Sequence, residues 1–348
     1  PRAYGAAQHE KRTQPAHRVL YKLTVGPIPE GEKQQKMHED WSGVKGLAED
    51  VRRYGHWMRE EAFKRIGHLY PKVKITGEMI AERPDLKRYE GDELTVIAWL
   101  WARTVKSPNP AFDHIDVPLV SSFVLSRKKG KETYVEPVIE EGGYRFEVRK
   151  GEASDEQKNG TKVGKGGNFK CLFSGTPIPV SNIREQGMNG TFGQKLMAVV
   201  TEGKSERVYI SPTQEMESLA LSANPLWKPE TEINHNPRDI RPQLYGLKTY
   251  GELFSNRQLL ALTTFCDLVQ EARLKAVSDA RSYGIAQDEI RLVDGGEGAD
   301  AYGDSIATYL AFAIDRGADF WSNLCVWANQ PKNELVMHLF GRQAIPMA

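Results

Sequence analysis

Residues 94–212 alternate and turn as strands do, and helical periodicity borders them on both sides. The run Leu94-Thr-Val-Ile-Ala-Trp-Leu-Trp101 is rich in β-branched and aromatic residues and too short to span a membrane. Val117–Leu125, Thr133–Ile139, Tyr144–Val148, Asn168–Phe173, Lys195–Thr201 and Arg207–Ile210 read as further strands. Gly-rich turns such as Glu141-Gly-Gly-Tyr144 separate them, so neighbouring strands close into hairpins and pair antiparallel. The fold class this predicts is α+β, a small antiparallel β-rich unit flanked by long helices.

The flanks carry the helices. Val44, Leu47, Val51, Tyr54, Met58, Ala62, Ile66 and Leu69 recur at steps of three and four, which predicts a helix from about Trp41 to Tyr70. Asp40 is placed to cap it and Pro71 to stop it. Downstream, Gln214–Ser222 reads as a short helix and 224–242 as a Pro-rich connector. Ser255 is the expected N-cap of a helix reaching about Tyr283, with Leu259, Leu262, Phe265, Cys266, Val269, Ala272 and Ala276 as its apolar stripe. A last helix, about Ala301 to Trp321, offers Ala307, Ala311 and Ala313 for close packing. Gly151–Gly167 reads as a mobile loop. The expected organisation is a mobile basic arm (1–36), a helical segment (37–93), the β-rich domain (94–212) and a second helical segment (213–348).

Charge and cysteine usage narrow the function classes. The 47 Lys and Arg nearly cancel the 46 Asp and Glu, leaving +1, which excludes a globally basic nucleic-acid coat and an acidic tail. Locally the balance differs, since residues 1–36 hold seven basic residues against three acidic ones. Three cysteines, an odd count, argue against a disulfide framework and for a reducing, cytoplasmic setting. No stretch reaches the ~18 apolar residues of a membrane helix, and no signal-peptide core opens the chain. The chain begins at Pro1 without an initiator methionine and is expected to be a piece of a longer protein.

Few motifs promise chemistry. Asn109-Pro-Ala-Phe112 and Asn224-Pro-Leu-Trp227 approach the Asn/Asp-Pro-Pro-aromatic loop of amino methyltransferases, but both lack the second proline and read as turns. Gly164-Lys-Gly-Gly167 and Gly295-Gly-Glu-Gly298 read as surface loops, without the strand and helix a phosphate loop needs. Glu140 and Glu141 sit beside a turn, and His56 and Glu60 share a helix face without a third ligand. Cys266 and Cys325 read as small core residues. No catalytic residues are expected.

The basic cluster Arg127-Lys128-Lys129-Gly130-Lys131 is more informative. It falls on a hairpin tip, with Arg103 and Lys106 on a neighbouring segment beside Trp99 and Trp101. Over 101–131 these six basic residues face only Asp113 and Asp116, a local +4 that can neutralise phosphates. The plainer reading is a solvated turn whose lysines guard an edge strand.

Several of these segments together carry a resemblance. The stretch Leu94–Phe112, with Val117-Pro-Leu119, Leu125-Ser-Arg-Lys-Lys-Gly130 and Phe340-Gly-Arg-Gln-Ala-Ile-Pro-Met347, resembles the large bacterial and archaeal adenine-specific DNA methylases that carry a zinc-ribbon-like insertion. Some of these are associated with phage-defence gene clusters. The likeness runs from about Trp41 to Met347.

In that family the S-adenosylmethionine loop lies upstream of this region and the catalytic Asp-Pro-Pro-Tyr loop downstream. The resemblance therefore implies an internal segment of a Rossmann-like DNA N6-adenine methyltransferase, with no S-adenosylmethionine bound by this chain itself. It implies double-stranded DNA as partner, met by Arg103, Lys106, Arg127, Lys128, Lys129 and Lys131. The remaining methyltransferase halves or defence-system proteins would be further partners. The alternative is a protein-interaction or scaffold module of a phage-defence complex, docked through the helix at 41–70 or 255–283.

The resemblance also marks a degenerate ribbon. Many relatives have cysteines where this chain has Ser107 and Phe112, and a second pair at Cys171 and Ser174. A structural zinc needs four ligands, so one cysteine, with His114 nearby, predicts a metal-free ribbon held by apolar packing.

Overall fold

A computed structural model describes residues 44–234 and 241–338. The basic arm 1–36, the Asp40 cap, part of the 224–242 connector and the segment Phe340–Met347 lie outside the described residues. In chain order the elements begin with α1 (Val44–Ile66), β1 (Val73–Lys74), α2 (Gly77–Glu82), β2 (Glu93–Leu94), β3 (Val96–Lys106) and β4 (Asp116–Leu119). β5 (Val124–Ser126), β6 (Thr133–Glu140), β7 (Gly143–Lys150), α3 (Asp155–Asn159), β8 (Phe169–Lys170) and β9 (Pro177–Ile178) follow. The chain continues through α4 (Val180–Met188), β10 (Gly193–Gly203), β11 (Glu206–Ile210), α5 (Gln214–Leu221), α6 (Asn256–Ser282), α7 (Ala299–Ala318), β12 (Val326–Asn329) and β13 (Glu334–Met337). The fold is α+β with antiparallel sheets throughout. Among the described residues no helix is long and apolar enough to cross a membrane.

Two compact units form, each from two stretches of chain: residues up to His68 with Leu260–Ala318, and Leu69–Leu259 with the chain from Asp319. The second unit holds every strand. Its main sheet has the order β11-β10-β3-β4, and β5-β6-β7 make a separate three-stranded meander. β10 pairs with β3 from Gly193 opposite Thr104 to Thr201 opposite Val96, interrupted by a bulge between Leu196 and Ala198. Strand alternation sends Ala98 and Ala102 into one apolar cluster with Val117, Val135 and Phe146. Trp99 and Trp101 pack instead on a second cluster that includes Leu196, Val199 and Ile210. The hairpin β12-β13 docks on β5, where the Trp327 indole N–H donates to the Leu125 carbonyl at 3.0 Å and Asn329 donates to that of Val124.

The first unit is a helical packing of α1, α6 and α7. Tyr54, Met58 and Ala62 meet Leu268, Ala272, Ala276 and Ala280, with Ala299, Tyr302, Ile306 and Leu310 completing the core. The polar tips inside it are satisfied: Tyr54 donates to Asp279 at 2.9 Å and Tyr302 to Asp50 at 3.0 Å. Burial, with those carboxylates alongside, pushes both phenols well above their ordinary pKa and keeps them protonated donors.

Several expectations are corrected here. Cys266 is exposed, because the α6 stripe turns through Leu268, Val269 and Ala272 and leaves position 266 outside it. Ala311 and Ala313 also face outward, and the close approach to α6 is made by Ala299 and Gly303. The 151–167 segment contains α3, started by a capping box in which Ser154 Oγ accepts from Gln157 N at 3.3 Å and Gln157 Oε1 from Ser154 N at 2.6 Å. The segment beyond residue 213 carries the β12-β13 hairpin as well as helices.

Two stability predictions follow from the helical unit. A Cβ on Gly303 would meet Val277 Cγ2 at 2.5 Å and the Arg273 carbonyl at 3.0 Å. Gly303→Ala should therefore destabilise the unit by about 1–3 kcal/mol, read as a lower thermal midpoint. Glu49, buried on α1, is held at a pKa of about 2 by its hydrogen bond to Arg52, which with that to Arg53 outweighs its desolvation. A carboxylate pKa depressed in the folded state gives stability that is present above pH 4.5 and lost as pH falls toward 2. Glu49→Gln should cost about 2 kcal/mol at neutral pH and flatten the acid limb of the melting curve.

Candidate nucleic-acid interface

The β3 register builds a cleft in the strand-bearing unit. Trp99, Trp101 and Arg103 stand two residues apart on one strand and line the cleft. One wall is the 121–127 segment leading through β5 into the basic turn, another is the Lys162–Phe169 loop, and the chain from Ser322 to Gln330 forms a third. The cleft, open on one side, has a volume of about 600 Å³. The loop wall is pinned by Thr161, whose Oγ1 donates to Pro118 O at 2.9 Å and accepts from Val120 N at 3.0 Å. Gly160 precedes it at φ +59°, where a Cβ would lie 2.3 Å from the Val120 carbonyl oxygen, so only glycine fits.

The cleft has one sign of charge. Arg103, Arg127 and Lys162 line it, and no Asp or Glu does. Arg103 donates to the Asn323 carbonyl at 3.2 Å and makes no ion pair among the described residues. Part of its side chain meets solvent at the cleft surface, but the surrounding protein strips enough water from the guanidinium to pull its pKa from 12.5 to about 10. Arg127 is exposed, and neither it nor Lys162 has an ion-pair partner among the described residues.

Aromatic faces surround these cations. Trp99 is already engaged, with the Arg257 guanidinium 4.0 Å from its ring centroid and Tyr70 edge-on at 5.7 Å. Trp327 is fixed by its indole hydrogen bond and by an edge contact with Tyr209 at 6.1 Å. Trp101, also in the lining, has no ring partner among the described residues.

The six basic residues singled out in the sequence separate into two groups. Arg103 and Arg127 reach the cleft, and Lys129 is exposed on the turn between β5 and β6. Lys106 pairs with Asp116 at 3.0 Å. Lys128 pairs with the buried Glu334 at 2.7 Å and Lys131 with the buried Glu206 at 2.8 Å. Withdrawing Lys128 toward a phosphate would leave the buried Glu334 without its cation, whereas Glu206 also pairs with Arg88 and accepts from Tyr89, so Lys128 is the more firmly structural of the two. Lys162, Tyr245 and Trp327 were not singled out from the sequence. They reach the cleft from distant segments and carry no local pattern that announces it.

The segments around Ser107–Phe112 and Cys171–Ser174, expected from the resemblance to be ribbon knuckles, also meet. Ser107 Oγ donates to Cys171 Sγ at 3.2 Å in a buried contact, and Phe112 stacks on Phe173 with centroids 5.4 Å apart. Burial opposes the Cys171 thiolate, but hydrogen bonds from Ser107 and Ser174 and from the Ser174 and Phe173 backbone bring its pKa below the ordinary value. Among the described residues no three His, Cys, Asp or Glu side chains converge as a metal set. Asn109-Pro-Ala-Phe112 forms a tight turn in which Asn109 Oδ1 accepts from Ala111 N at 3.0 Å. His56 and Glu60 form an exposed pair at 3.2 Å.

No family model, curated protein or solved structure matches the chain.

The desolvated Arg103 yields a prediction. A base whose folded pKa is depressed opposes folding at neutral pH, and that opposition is relieved only as pH rises past about 10. Arg103→Met should therefore raise the thermal midpoint of the unliganded protein by about 2 °C, measured by calorimetry or circular dichroism.

Proposed function

We propose that this chain is the DNA-recognition insertion of an S-adenosylmethionine-dependent DNA N6-adenine methyltransferase, a degenerate zinc-ribbon-like unit within a Rossmann-like parent. The observation that carries the DNA-binding part is the cleft, where Arg103, Arg127 and Lys162 gather beside tryptophans with no carboxylate in the lining. Cations left without a counter-charge among the described residues are disposed to take phosphate oxygens, and aromatic faces to take bases. The contact of Ser107 with Cys171, and of Phe112 with Phe173, supports the ribbon-like reading, because it joins the two segments that the family resemblance pairs as ligand knuckles.

In the parent, a methyl group passes from S-adenosylmethionine to the exocyclic amine of adenine. The cofactor and catalytic loops belong to the flanking halves, and the residues of this chain hold and orient DNA. A cytoplasmic location accompanies this role. A second reading, a docking module of a defence complex, is favoured by large apolar side chains left outside on the helices, Phe63 at 72% exposure on α1 and Leu274 at 64% on α6. Co-purification with such a complex in the absence of DNA affinity would select it.

The test separates the two groups of cations. Arg127→Ala combined with Lys162→Ala should weaken DNA binding at least tenfold and lower the slope of log K against log salt by about 2. Lys106→Ala, which loses an exposed ion pair, should change affinity little. Equal effects from both variants, measured by fluorescence anisotropy across a salt series, would remove the basis for the cleft as the DNA contact.

A further inference from the structure

Two groups in the cleft lining, Trp101 and Arg103, are the most telling. Trp101 and Arg103 are two residues apart on one strand and point to the same side, ~7 Å apart along the chain. Trp101 has no ring partner among the described residues, whereas Trp99 is stacked by Arg257 and Trp327 is fixed by Leu125 and Tyr209. Arg103 is desolvated and has no carboxylate beside it. A half-buried cation held without a counter-charge stands where an anion completes it. Arg127 and Lys162 stand in the walls and add to the attraction. The volume, about 600 Å³, lies within the ~300–1,000 Å³ of small-ligand sites.

The phosphates of an intact duplex lie on a convex outer surface and its bases are covered by stacking. Neither presents the face of a single base and its phosphate together to two neighbouring side chains inside a cleft. An unpaired nucleotide does. We propose that this cleft is a nucleotide-binding site that takes an unpaired nucleotide, with its base on the face of Trp101 and its phosphate on Arg103. The proposal rests on the DNA-binding reading above and deepens it: the chain engages DNA at an unpaired or single-stranded position. The same chemistry could be supplied by a free nucleotide, and the test distinguishes that source.

The experiment uses the full chain with three probes: a fluorescein-labelled single-stranded oligodeoxyadenylate, a blunt duplex containing the same strand, and dAMP. The single strand is expected to bind at least tenfold tighter than the duplex. Trp101→Ala should weaken single-strand binding about tenfold, the loss of one stacked base, and leave duplex binding unchanged. Trp101→Phe keeps a stacking face and should restore most of the affinity, which separates loss of stacking from loss of fold. Arg103→Met should weaken the single strand and dAMP alike while melting no lower than the parent chain.

Equal affinity for the single strand and the duplex, or a Trp101→Ala variant that folds and binds both unchanged, would overturn the nucleotide site. The DNA-binding reading would survive that result if Arg127→Ala with Lys162→Ala still weakened the duplex. Binding of dAMP that depends on Trp101, without binding of either DNA, would support the nucleotide site with a free nucleotide as its source and overturn the DNA reading. Binding of none of the three probes would overturn both.

Discussion

Residues 96–104 of β3 pair with residues 193–201 of β10, and the register of that ladder decides which side chains enter a core and which enter the cleft. Because successive strand residues point to opposite faces, a slip of one position would send Trp99, Trp101 and Arg103 to the side now filled by Ala98 and Ala102. Two apolar clusters hold the register in place. Leu196 and Val199 pack in one and Ala198 and Val200 in the other, with the bulge at Met197 absorbing the change of phase between them. The position of Arg103 on the strand is thus secured by the apolar packing of the two clusters.

The electrostatics of the unit follow from the same arrangement. Six basic residues crowd one stretch of sequence, but the fold delivers Glu206 to Lys131 and Glu334 to Lys128 from far along the chain. Those pairs hold the basic turn against β11 and β13, and the positive potential is left on Arg103, Arg127, Lys129 and Lys162. The result is a narrower and more directed charge than a lysine-rich hairpin tip would present, and it lies beside aromatic rings. The buried Ser107–Cys171 contact and the Phe112–Phe173 stack play a comparable part at another point, tying the turn after β3 to the turn after β8.

Much of the architecture was legible in the chain. The stripe that begins at Val44 runs as a helix to Ile66, and Ser255 caps the helix at 256, because helix periodicity and capping depend on neighbours within a few residues. The strands at 133–140 and 143–150 and the long pair at 96–106 and 193–203 sit close to where alternation put them. The helix at Asp155–Asn159 was missed: Ser154 and Gln157 carry the capping-box signal, but the glycine and lysine content around them reads as a loop. Helix faces were less legible: Cys266 and Ala311 looked like core positions, but which part of an apolar stripe is covered depends on where the partner helices cross.

By itself the sequence determined the α+β class, the antiparallel strands, the long helices and a concentration of positive charge near Trp99 and Trp101. These follow from local periodicity, turn chemistry and counting. Only the tertiary structure decided that Lys128 and Lys131 are held by buried carboxylates, that Lys162, Tyr245 and Trp327 join Arg103 around one cleft, and that Trp101 lines it without a ring partner among the described residues. Those outcomes depend on contacts between residues separated by much of the chain. No short-range pattern encodes such contacts, because the residues involved are selected by the register of a sheet and not by their neighbours in sequence.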